Sequence, residues 1–106
     1  IEGMTHRVIF SPRAEAQLVK LHKDIADESS PAIGERYTAA IVKYCLGFST
    51  FPHRGTRRDN IRPGLRTVGY RRRATIAFEV ADEAVNILGV YYGGQDYEAD
   101  LRDDEK

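Results

Sequence analysis

The sequence predicts an α+β domain, β-α-α-β-β-β in order, with a helical hairpin packed on one face of a small antiparallel sheet. Two Ser-Pro pairs, Ser11-Pro12 and Ser30-Pro31, each open a stretch whose apolar residues recur at helical spacing. The joint between these stretches is short, so the helices must run antiparallel. Alternating, β-rich runs then gather in the second half. Helices first and consecutive strands later is the α+β pattern.

The first strand is "THRVIF", which alternates over about 6–10. At Ser11 a hydroxyl can accept an orphan helix N–H, and Pro12 gives up a donor the first turn does not use. In "PRAEAQLVKLHKDIADE", Ala14, Leu18, Leu21 and Ile25 share one face and charges fill the other. The second helix puts Ile33, Tyr37, Ala40, Ile41, Tyr44, Cys45 and Phe48 on its inner stripe. From Phe51-Pro52 to residue 64 the composition turns to Gly, Arg and Pro, an exposed loop. Strands follow at about 65–70, 72–81 and 84–92. "ADEA" makes a good turn between the last two, whereas "YRR" between the first two is poor in turn formers. In the long strand Ile76, Phe78 and Val80 face the helices, while Arg73, Thr75, Ala77 and Glu79 form a half-polar second face. Tyr91 and Tyr92 must point to opposite sides, one into the core and one to solvent.

The 106 residues fit one domain, expected over 4–100. "IEG" before Met4 reads as a non-native remnant, and 101–106 as an acidic tail that frays after one helical turn. A single cysteine, Cys45, rules out an intrachain disulfide and suits a reducing cytoplasm. No apolar run is long enough to span a bilayer, so no membrane partner is expected. Net charge is zero, yet eight arginines and one acid lie between Arg54 and Arg73, a local balance of +7. Residues 79–106 carry nine acids against two cations, a balance of −7. Opposed blocks of this kind imply a basic face that meets something anionic.

Several chemistries are missing. No glycine-rich phosphate loop opens a helix, and the three histidines and one cysteine are too scattered to hold zinc. Cys45 lies on an apolar stripe, where a thiol is inert, so neither a nucleophile triad nor a cofactor is expected. What remains is arginine beside tyrosine. Arg57, Arg58, Arg62, Arg66, Arg71, Arg72 and Arg73 could grip carboxylate or phosphate, with Tyr91, Tyr92 and Tyr97 near them. Taken singly, each arginine reads as a solvated rim that guards a sheet edge. As a cluster they repel one another beyond what edge protection needs, and read as a binding surface without catalytic residues.

"SPRAEAQLVKLHKDIADESSPAIGERYTAAI", "FPHRG", "GLRTVGYRRRATIAFEV" and "VNILGVYYGGQDYE", in that order, resemble the RelE/ParE superfamily of bacterial toxins, the ParE branch more than the RelE branch. The resemblance covers residues 5 to 100 and implies the toxin half of a type II toxin–antitoxin pair. It also implies a ParD-like antitoxin that binds through an extended or helical C-terminal segment, in a cytoplasmic hetero-oligomer. ParE-like toxins poison DNA gyrase, whereas RelE-like toxins cut messenger RNA on the ribosome. Hydroxyl attack on RNA needs a proton acceptor, a proton donor and cations at the phosphate. Here only the cations are plain, and Tyr97 is hemmed in by Asp96 and Glu98. The residues therefore favour a non-enzymatic gyrase inhibitor, with the ribosome-dependent nuclease as the alternative.

Overall fold

Each long helix begins where a serine hydroxyl takes the place of a missing backbone acceptor. In the computed structural model, which describes residues 6–102, Ser11 Oγ accepts from Ala14 N at 3.0 Å and Ser30 Oγ from Ile33 N at 3.2 Å. These caps set α1 (Pro12–Glu28) and α2 (Pro31–Leu46), which follow β1 (Arg7–Phe10). A 3₁₀ turn, Gly47–Ser49, ends the hairpin, and β2 (Thr56–Arg57), β3 (Arg66–Tyr70), β4 (Ala74–Ala81), β5 (Ala84–Tyr92) and α3 (Tyr97–Leu101) follow. The two helices approach closely at Gly34, where a Cβ would stand 2.7 Å from the His22 carbonyl oxygen.

The strand order is β1-β5-β4-β3-β2. The expected β-α-α-β-β-β order stands, but the sheet is mixed, because β1 runs parallel to β5. That follows from the connection: the helical hairpin carries the chain across the sheet, so β1 need not turn back on its neighbour. The loop after Phe51 contains β2, a two-residue strand on the β3 edge.

The helices cover one face. Ala14, Leu21, Ile25, Ile41, Cys45 and Phe48 pack there on Tyr70, Ala74, Ile76, Phe78, Val85, Ile87 and Val90. Burial pushes the Cys45 thiol up to about 12, so it stays protonated and inert at neutral pH. Ile33, expected on the inner stripe, is 45 % exposed.

The second face is not merely polar. Ile61, Leu65, Ala77, Tyr91 and Leu101 form a small core of their own, joined by Leu88 and Tyr97. Its origin is a β-bulge. Ala77 pairs with Gly89 and Phe78 with Ile87, which leaves Leu88 as an extra residue in β5. Parity therefore flips: Val85 and Ile87 face the helices before the bulge, Val90 and Tyr92 after it, and Tyr91 turns to the second face. Tyr91 is buried and Tyr92 half-buried, where the expectation had one of them in solvent. Leu101, placed by sequence in a frayed tail, is 1 % exposed because α3 lays it on this second core. Residues 103–106 of that tail, and the leading 1–3, lie outside the described residues.

Candidate functional site

The arginine block splits between the two ends of β3. Five strand residues, at roughly 3.3 Å each, put about 16 Å between Arg66 and Arg71. No small anion bridges that distance.

At the loop end four guanidiniums, those of Arg54, Arg57, Arg58 and Arg66, are used internally. Arg57 pairs with Asp59 at 3.0 Å, and the other oxygen of Asp59 accepts from Gly64 N at 2.9 Å. These contacts, the Gly64 N–H foremost and the Arg57 charge after it, hold the Asp59 carboxyl below its ordinary range. Arg58 Nε donates to Thr67 Oγ1 at 3.0 Å, Arg66 Nη1 to the Arg54 carbonyl at 3.2 Å, and Arg54 Nε to the Phe51 carbonyl at 2.8 Å. Arg54 also lies 4.7 Å over the Phe48 ring. Arg62 contributes its backbone, accepting from Leu65 N at 3.0 Å. Leu65 and Ile61, both buried, anchor this loop on the second core.

At the turn end the arrangement differs. Arg71 and Arg72 occupy the middle of the β3–β4 turn at φ of 53° and 61°. Tyr70 pairs with Ala74 across a three-residue loop in which Arg73 N donates to the Tyr70 carbonyl at 3.1 Å, and a turn so closed with positive φ at both central residues is one for which Asn-Gly is the usual solution. A left-handed residue with a Cβ costs about 1–2 kcal/mol, so two arginines here strain the backbone. Arg71, but not Arg72, lines a cleft of about 380 Å³ together with Ile25, Glu28, Ser29, Ile33, Tyr37, Arg73 and Tyr92. Arg73 Nη1 donates to Tyr92 Oη at 3.2 Å, a bond that raises the arginine's affinity for its proton. Arg71 sits 5.1 Å over the Tyr70 ring.

The floor of the cleft is tyrosine. Tyr37 packs edge-on against Tyr92 and Tyr70, with centroids 5.7 and 6.1 Å away. Its hydroxyl is buried without a hydrogen-bond partner, and desolvation raises its pKa. Sequence periodicity placed Tyr37 correctly on the inner stripe. A phenol on an apolar stripe carries an oxygen that needs a partner.

The remaining candidates lie on the second face. Tyr91 donates to Asp100 at 3.0 Å, and burial, with that bond after it, raises its pKa. Tyr97 lines a hollow with Arg58, Thr67 and Thr75, where the one guanidinium is already bonded to Thr67. Among the described residues the acidic end does not neutralise the arginine block. Asp96 caps α3, Glu98 faces Arg102 at 3.5 Å, and Asp100 lies 3.9 Å from Arg13. No group of three potential metal ligands occurs among the described residues, and no helix of the structure is long and apolar enough to cross a membrane.

A family model described as the ParE toxin of the type II toxin–antitoxin system, parDE, matches residues 8–97. Among solved structures the chain is similar to the chromosomal ParDE toxin–antitoxin system from P. aeruginosa, at 19 % identity and a TM-score of 0.75, covering 87 % of this chain and 99 % of that one. It is also similar to the RelBE2 toxin–antitoxin complex from Mycobacterium tuberculosis, at 21 % identity and a TM-score of 0.61, covering 83 % and 98 %. These likenesses establish the shared fold. No curated protein matches the sequence.

Proposed function

Because the chain belongs to the family of ParE toxins of type II toxin–antitoxin systems, we propose that it arrests bacterial growth by binding and poisoning DNA gyrase, and that a ParD-like antitoxin silences it by direct contact. The observation that carries the reading is the state of the second face. A ribonuclease of this fold needs cations and a proton-transfer pair around a phosphate. The hollow beside Tyr97 offers a single guanidinium, tied to Thr67, and Asp96 and Glu98 flank the tyrosine in sequence. Among the described residues lining that hollow, such a surface gives RNA one committed cation and no second group for proton transfer beside Tyr97. Binding without bond cleavage fits it better.

The unpaired arginines at the turn end suit an acidic antitoxin segment. The partner named for the similar P. aeruginosa and M. tuberculosis proteins is likewise an antitoxin. The experiment is induction of the chain alone in bacteria, followed by plasmid topology and sequencing of transcript 5′ ends. The reading expects lost gyrase-dependent supercoiling with DNA cleavage, and transcripts without new ends. Intact supercoiling alongside fresh ribosome-dependent cuts contradicts it and favours the nuclease.

A further inference from the structure

We propose that the cleft between the α1–α2 joint and the β3–β4 turn is an anchor site for an acidic peptide, taking one carboxylate on Arg71 and Arg73 and a neighbouring apolar side chain on Ile25 and Ile33. The site acts without the loop-end arginines. This deepens the reading above and rests on it only for where the peptide comes from.

Four observations converge. The turn accepts backbone strain at Arg71, one of the two cleft arginines, that Asn-Gly would avoid, so that guanidinium is kept for something other than the turn. Among the described residues no carboxylate lies within ion-pair distance of Arg71, Arg72 or Arg73. Arg73 uses one donor on Tyr92 Oη, and a guanidinium has five, so the rest remain for a bidentate partner. Finally, Tyr37 lines the cleft and carries a hydroxyl that has no hydrogen-bond partner among the described residues, a donor free to pair if a ligand reaches it.

The lining narrows the chemistry. Glu28 stands at the cleft, leaving a net charge of +1 against the two arginines, enough for one carboxylate and poorly matched to a polyanion. Ile25 and the exposed Ile33 give an apolar half that a free inorganic anion would leave uncovered. An acidic residue beside an apolar one, on an extended segment, meets both halves.

The test is titration calorimetry on the whole chain with an acetylated, amidated heptapeptide of alternating leucine and glutamate, and with its glutamine counterpart. Arg71→Gln with Arg73→Gln should weaken the acidic peptide about tenfold or more, the scale of one or two charge-assisted hydrogen bonds. Arg57→Gln with Arg66→Gln should leave its affinity within about twofold, since those groups sit at the other end of β3. Tyr37→Phe should weaken binding several-fold without lowering Tm, because its hydroxyl serves no internal partner. The proposal is overturned if the acidic peptide does not bind, if the glutamine peptide binds equally, or if the loop-end pair abolishes binding and the turn-end pair does not. Failure here with gyrase poisoning intact leaves the toxin reading standing. Peptide binding without growth arrest removes the toxin reading alone.

Discussion

The two ends of β3 carry the same residue type at similar density and use it in opposite ways. At the loop end Arg54, Arg57, Arg58 and Arg66 each donate to a carbonyl, carboxylate or hydroxyl nearby, and the loop takes its shape from them. At the turn end Arg71 lies over an aromatic ring and Arg73 donates to a phenol, with Glu28 in the same cleft but outside ion-pair distance, and Arg71 and Arg72 hold a turn that arginine disfavours. One end spends arginine on structure. The other keeps arginine against structural preference. Residue type and local charge therefore do not separate a scaffold from a binding surface; the partner of each guanidinium does.

The comparison can be broken at several depths. Leu65→Ala should cost about 2–5 kcal/mol by urea denaturation, since Leu65 is 1 % exposed and fixes the loop to the second core. A loss near zero would mean that the loop-end arginines are not mounted on a packed base. Arg58→Ala should cost about 1–2 kcal/mol by unpairing the buried Thr67 hydroxyl, whereas Arg72→Ala stays within about 0.5 kcal/mol. Equal effects in the two variants would erase the distinction between the ends.

The smallest expected effect lies in acid. Asp59 is depressed below its ordinary 3.8, so the unfolded chain takes up this proton first as pH falls. Its contribution is present above 3.8 and is lost as pH drops through the lower folded value. The stability gap between wild type and Asp59→Asn should close in that range. A gap that holds constant below it would show that Asp59 does not organise the loop.

The legible features of the sequence were those with local causes. Ser11-Pro12 and Ser30-Pro31 announced both helices, and the alternation in "ATIAFEV" announced β4 and its core face. The parallel seat of β1 was not legible, because no local residue encodes which edge a returning strand takes. Nor was the second core. It depends on one extra residue, Leu88, whose bulge turns Tyr91 over, and on a short helix that brings Leu101 beneath the sheet. For the site, sequence found the arginines but read a single cluster. Their division into two ends comes from the length of β3, and Tyr37 enters only because α2 carries it beside Tyr70 and Tyr92.

The most direct measurement replaces the strained pair with the turn's own preference, Arg71→Asn with Arg72→Gly. Thermal unfolding and acidic-peptide titration of this variant beside the wild type read both sides of the trade. If function holds arginine in that turn, stability rises by about 1–2 kcal/mol while peptide affinity falls. A variant that melts no higher and binds the peptide as well as the wild type would contradict the account.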